Sequence, residues 1–351
     1  MTSAPVPVPI TWAVGTAYDL FASLFVLHNA ETTGLRRAWA AGVRNRLAVP
    51  HRELLQELVP IVAVPVEWIR TLGSHPNAAS ALGALESMPD DAILPALADR
   101  EFLRLPVVSR VMHENRVSRP DIDELLSSKC PSQMRPNNPA AARSLLSRFA
   151  HADRSGALLR AALVEYQEQF FGEEEHRIAG HLVSAGERAQ ANAAECPVVD
   201  LVEELSGGLR LEHVVEATGL LLIPSFWAGP LVLFEMLPDK TWVIIFSARP
   251  RDISLIPGDP VPDALTRSLH AVSDQTRLRI LKLLRESPRT QVEIARELRL
   301  RPPTITHHLK ILRLANLIRL TENTSGEKRY DVRGSRLLEI GHDLSTFVGL
   351  E

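Results

Sequence analysis

Cysteine is nearly missing: the 351 residues hold only Cys130 and Cys196, far apart and without a CxxC spacing. A disulfide-stapled secreted scaffold is thereby excluded, and a reducing cytoplasm becomes the expected setting, with both thiols ordinary buried or half-buried groups. Long hydrophobic runs are missing too. The longest uncharged apolar stretch, residues 219–234, falls short of the ~20 residues that cross a bilayer, and Pro224, Gly229 and Pro230 interrupt it. Residues 1–10 are rich in Pro and Val and lack a basic start, so no leader and no membrane association are expected. Catalytic signatures are equally scarce. There is no GxSxG, GxGxxG, P-loop or HExxH, which leaves hydrolase, dinucleotide and zincin chemistry without an anchor. No internal repeat is present.

What is there is sufficient for two or three domains. Hydrophobic residues make up 45% of the chain, and a net charge of −3 argues against general disorder. That near-neutrality hides an asymmetry. Residues 263–351 carry 16 Lys+Arg against 11 Asp+Glu, a net of +5, which leaves −8 for the remainder. A basic C-terminal head on an acidic body is the pattern expected if only the head meets phosphate.

The first 200 residues read as mainly helical. Amphipathic stretches span residues 17–28 and 35–47, the latter with Trp39 packed inside. Shorter ones broken by proline cover 51–58, 66–72 and 92–103. A turn-rich, exposed segment at 127–139 precedes helices over 140–150 and about 158–194, with an acidic patch at Glu173, Glu174 and Glu175. From about residue 197, apolar runs bounded by Gly219, Gly229-Pro230 and Pro238-Asp239 suggest short strands of a small antiparallel sheet. A proline-rich link, residues 250–262, leads to the head. The expected class is α+β: a mainly helical body (1–196), a small antiparallel β region of the same body (197–257) and a C-terminal winged helix (258–351).

The head carries the most specific pattern. In TQVEIARELRLRPPTITHHLKILRLANLI, residues 290–318, Thr290 is placed to cap a short helix whose inner face would be Val292, Ile294, Ala295 and Leu298. Leu300 lies in the connection. Pro302 and Pro303 then fit a helix start, where proline's fixed φ and missing N–H are tolerated. Ile305, Leu309, Leu312 and Ala315 point inward at helical spacing, and Asn316 suits the left-handed residue that ends a helix. Upstream, Leu278, Ile280, Leu281, Leu283 and Leu284 pattern a helix opened by Ser273 or Asp274. Downstream, two alternating segments around Thr324-Ser325-Gly326 predict a hairpin. Helix, helix-turn-helix and hairpin in that order make a winged helix.

These residues resemble the ArsR-type bacterial repressors over roughly residues 263–349. Asn316 stands where the family usually has glycine. The family's best-known metal sensors carry a Cys-x-Cys pair in the first helix of the motif; this chain has none, so that thiolate switch is not expected. AYDLFASLFVLH near the start, IPSFW at 223–227 and IIFSARP at 244–250 are similar to a large uncharacterised domain often found ahead of such heads. The resemblance implies a cytoplasmic transcriptional regulator, a repressor, that binds double-stranded promoter DNA as a homodimer through residues 264–271 and 335–348. The body would serve as a sensory or dimerisation module, open to a small apolar or amphipathic effector.

Within the head, Thr304, Thr306, His307 and Lys310 are the candidate base-edge or phosphate contacts, and Arg301 at the helix start favours phosphate. Asn323, Ser325, Lys328 and Arg329 belong to the wing, while His308 is as suited to bracing the motif as to touching DNA. No catalytic residue, metal or cofactor is expected. Glu339, His342 and Asp343 on the last helix do not reproduce the metal-ligand spacing of some relatives and read as a polar face or dimer rim. His176 and His181 read as surface histidines. Trp12, Trp39, Trp68, Trp227 and Trp242, with Phe226, read as core first and as effector-pocket lining second. The competing functional classes are a protein-interaction winged helix, which has no need of the basic Lys328-Arg329 pair, and an enzyme with an appended DNA-binding head, for which no titratable cluster stands out.

Overall fold

A computed structural model describes residues 8–131, 134–230 and 232–350. Residues 1–7, on which the expectation of no leader falls, lie outside the described residues, as do 132–133 of the turn-rich segment and 231 of an expected strand. The chain divides into two compact units, Val14–Ala179 and Met1–Ala13 with Gly180–Glu351.

The first unit is helical. Its helix Thr16–His28 buries nearly every side chain, including Asp19 and Ser23, so the segment read as amphipathic is a central helix covered all round. The Ser23 hydroxyl meets the Tyr166 hydroxyl at 2.8 Å inside the core. The expected 92–103 helix breaks into Asp90–Leu97 and Arg100–Leu103, because Asp99 turns and caps the second piece by accepting from the Glu101 and Phe102 amides. Helix Ala152–Tyr166 crosses Asp90–Leu97 at Gly156, where a Cβ would lie 1.8 Å from the Asp90 carbonyl oxygen. The long stretch that follows is not one regular helix: a π-turn, Gln167–Phe171, separates Ala152–Tyr166 from Gly172–Glu195.

The three glutamates do not form one acidic patch. Glu174 is buried against Arg177, Glu175 accepts from the Ala78 amide, and only Glu173 is exposed. Helix Arg37–Arg44 leaves Trp39 half-buried, edge-on to Phe170 at 5.8 Å. In the segment read as exposed, Cys130 and Met134 are buried.

The second unit holds two sheets. The first has the order β1-β3-β5-β4, with β1 Ile10–Trp12, β3 Gly219–Ser225, β4 Leu233–Met236 and β5 Thr241–Ser247. It is mixed rather than antiparallel. β1 and β5 run parallel to β3, and only β4 reverses. The physical reason is visible in β3, buried at every residue: a central strand covered on both faces is a continuous apolar run, the signature of parallel pairing.

The second sheet, β2-β6-β7, combines β2 Leu209–Leu211 with the hairpin β6 Ile318–Glu322 and β7 Lys328–Val332. β2 lies parallel to β6, and the Leu320 amide donates to the Gly208 carbonyl at 2.7 Å. Glu203, 8% exposed, ties the pair laterally, taking Arg210 at 2.9 Å and Arg319 at 2.6 Å.

The C-terminal elements close a core of Ile280, Leu284, Ile294, Ile305, Leu309 and Leu312. A mainly helical N-terminal part, small sheets and a winged helix make the α+β class expected from the sequence.

Candidate nucleic-acid interface

Each helix of the head starts where its sequence provides a cap. Asp274 opens Gln275–Glu286 by accepting from the Arg277 amide at 2.9 Å, and that bond holds its carboxyl below the ordinary range. Thr290 opens Gln291–Leu298 with a reciprocal box. Its hydroxyl accepts from the Glu293 amide, and its own amide donates to the Glu293 carboxylate at 2.7 Å. The buried Arg277 guanidinium donates to the carbonyls of Ala271 (2.7 Å) and His270 (2.6 Å), satisfying the end of helix Asp263–Val272.

The turn of the motif passes through Arg299, left-handed at φ 54°, into Pro302–Leu314, with both prolines in its first turn. Ile305, Leu309 and Leu312 are buried along the inner face. Two side chains assigned to inner faces are not there: Val292 is 60% and Leu278 49% exposed. Each helix is short, and at 100° per residue a flanking apolar position fits the inner stripe almost as well as the true one.

The opposite face of Pro302–Leu314 brings Arg301, Thr304, Thr306, His307 and Lys310 to the surface within its first turns. The side chains differ in freedom. Among the described residues no ion pair holds Lys310 or Arg301. Thr306 is engaged: its hydroxyl donates to the Pro302 carbonyl at 3.0 Å and accepts from Gln291 Nε2 at 2.6 Å. Gln291, which the sequence reading did not single out, thus clamps the two helices of the motif at their exposed edge. Its position one residue after the Thr290 cap was the available signal. His308 is turned inward, half-buried and 3.9 Å from Asp274, and burial lowers its pKa.

β6 and β7 pair antiparallel from Ile318↔Val332 to Glu322↔Lys328. Asn323 builds the tip: its Oδ1 accepts from the Ser325 amide (3.0 Å), the Ser325 hydroxyl (2.7 Å) and the Glu327 amide (2.9 Å), and Gly326 takes φ 80°. Asn323 and Ser325 therefore spend their side-chain bonds on the turn. Lys328 lies 3.4 Å from Glu322, and Arg329 reaches Glu327 at 3.0 Å and Glu293 at 3.8 Å. The hydrogen bond that the Arg329 guanidinium donates to Glu327 raises its pKa. On the edge of β7 away from β6, Arg289 and Tyr330 exchange both backbone hydrogen bonds (2.9 and 2.7 Å), tying the hairpin to the start of the motif.

On the last helix, Gly334–Val348, Arg251 takes Glu339 at 3.0 Å and Asp343 at 2.7 Å. Among the described residues no group of three or more His, Cys, Asp or Glu is placed to hold a metal ion. No helix there is long and apolar enough to cross a membrane. His176 is exposed, whereas His181 is half-buried against Phe226 at 5.5 Å.

Residues 274–319 match a family described as bacterial regulatory protein, arsR family. The matched segment starts at the Asp274 cap and ends inside β6, spanning the three helices that carry the motif. No curated protein and no solved structure matches the chain.

Proposed function

We propose, from the premise that residues 274–319 form the ArsR-type head of a DNA-binding regulator, that this chain is a transcriptional repressor. It acts in the cytoplasm as a homodimer on promoter DNA, and the residues ahead of the head form a sensory or dimerisation module. The observation that carries the reading is the recognition helix itself. Its buried stripe of Ile305, Leu309 and Leu312 fixes an outward stripe of Arg301, Thr304, His307 and Lys310 at the N-terminal end. That end is the part of such a helix that meets base edges, and its dipole favours phosphate. Thr306 contributes by position, through its contact with Gln291. Lys328 and Arg329 serve the adjacent backbone or minor groove, and Asn323 and Ser325 hold the wing in shape.

Pairing is supported by the last helix. Gly334–Val348 has no buried residue and exposes Leu344, Phe347 and Val348 along one side. Such an apolar face suits a two-fold interface with helix Asp263–Val272, which would set two recognition helices about 34 Å apart. The protein is read as a binder of nucleic acid, not an enzyme.

The test is a gel shift on the protein's own promoter DNA. Lys310→Ala with Arg329→Ala should abolish retention without lowering the melting temperature. Titrated against salt, each single variant should give a log–log slope flatter by about 1 if its residue contacts phosphate. Unchanged retention refutes the contact assignment.

A further inference from the structure

A cleft of about 460 Å³ opens within the second compact unit, between residues 185–253 and the winged helix. Its size is that of a small-molecule site. Its charge is unusual: Arg188, Arg249, Arg251, Arg267, Arg313 and Arg336 all line it, and among the described residues Glu204 is the only carboxylate that does. Not all of that charge is compensated. Arg251 and Arg336 share Glu339, Arg251 also takes Asp343, and Arg249 lies 3.6 Å from Asp263. Among the described residues neither Arg267 nor Arg313 forms an ion pair. Both are half-buried, and burial lowers the pKa of each, with Asp263 opposing the effect at Arg267 and Tyr330 at Arg313. Half-buried guanidinium groups without carboxylates are costly to the empty protein, and an anion supplying oxygen acceptors removes that cost.

We propose that this cleft is the receptor site for a small polyanion carrying phosphate or carboxylate groups, held by Arg267 and Arg313 with Arg188 at the rim. Phe246, Ala189 and Pro230 line the same space and would cover an apolar portion of the ligand. DNA phosphate is not the natural occupant. Arg313 stands nine residues beyond Thr304, about 14 Å along the helix and away from the end that faces the groove.

The placement supplies a mechanism. Arg313 ends the recognition helix, Arg267 sits on the helix assigned to pairing, and Arg249 follows β5. One anion bridging them would fix the recognition helix relative to the pairing helix, and occupancy would then alter operator affinity. This regulatory consequence rests on the DNA-binding reading; anion binding itself does not.

The experiment uses the full-length chain without DNA, so failure here and failure of the gel shift are separate results. Calorimetric titration with pyrophosphate and with citrate, at ionic strength matched by sodium chloride, distinguishes phosphate from carboxylate chemistry. At least one should bind and raise the melting temperature in a concentration-dependent way. Arg267→Gln and Arg313→Gln should each weaken that binding about tenfold. Lys282→Gln, an exposed charge on a neighbouring helix outside the cleft, should leave it unchanged. Should either cleft variant fail to fold, Arg188→Gln on the exposed rim repeats the test with an expected weakening of severalfold. No binding of either anion at 10 mM (roughly the upper end of metabolite-range affinities), or equal binding in wild type and cleft variants, overturns the proposal.

Discussion

Replacing Glu203 with Ala should loosen the wing without disturbing the helix-turn-helix. The Glu203 carboxylate is held by Arg210 at 2.9 Å and Arg319 at 2.6 Å, and it ties β6 to the segment preceding β2. Truncating one member of a fully buried ion pair costs about 3–5 kcal/mol. Two features lower that figure. Arg210 keeps Asp200 at 2.6 Å and Arg319 keeps Asp331 at 3.5 Å, and about a third of each arginine side chain reaches solvent. A loss of about 2 kcal/mol is therefore expected, between the exposed and buried limits.

The readout is hydrogen exchange at the Leu320 amide, whose bond to the Gly208 carbonyl depends on β2 remaining docked. A loss of about 2 kcal/mol corresponds to exchange about 30-fold faster at that amide. The Ile294 amide, bonded to the Thr290 carbonyl within the motif, is the internal reference and should be unchanged. Acceleration of Leu320 by less than about threefold (under ~0.7 kcal/mol) would refute the assignment of Glu203 as the tie. Equal acceleration of Ile294 would mean that the whole head had been destabilised instead.

Gly156→Ala should destabilise the Val14–Ala179 unit by at least about 1–3 kcal/mol, read by urea unfolding, because backbone of a neighbouring helix occupies the space the methyl needs. Ile305→Ala, at a fully buried position of the head core, should cost about 2–5 kcal/mol and abolish DNA retention through loss of fold, visible as a lowered melting temperature. His28 has its pKa lowered to about 4, chiefly by burial, with Nδ1 donating to the Leu24 carbonyl and Nε2 buried without a partner. The unfolded chain then binds the extra proton between pH 6.5 and about 4, so stability should fall as pH drops through that window, by up to about 3 kcal/mol. His28→Leu should flatten this part of the melting-temperature profile, and an unaltered profile would remove His28 as its source.

The head was largely legible because its signals are local. The Thr290 cap, the Pro302-Pro303 helix start, the Ile305-Leu309-Leu312 spacing and the left-handed Asn316 each act within a few residues, and each lies where expected. What escaped depends on partners remote in the chain. β3 reads as an apolar run whether its neighbours are parallel or antiparallel, and its parallel partner β1 lies more than 200 residues upstream, Ile10 opposite Leu220. β2 looked like part of the body sheet, yet its partner is β6 in the hairpin. The arginines of the cleft are spread from residue 188 to 336, and no window of sequence contains their convergence. Side-chain engagement was also hidden: nothing in the pattern ENTSG says that Asn323 will fold back onto Ser325 and Glu327.

The pairing of β2 with β6 bears on how this protein can be taken apart. A fragment cut at the proline-rich link would carry the three helices of the motif and the hairpin intact, but it would leave behind Leu209–Leu211. The outer rim of β6, with the Leu320 amide among its groups, would then face water as an open template for another chain. An excised head is thus expected to self-associate edge to edge, whereas one expressed with residues 198–211 fused back beside it should stay apart. In this chain the reading head is finished by a piece of polypeptide made long before it.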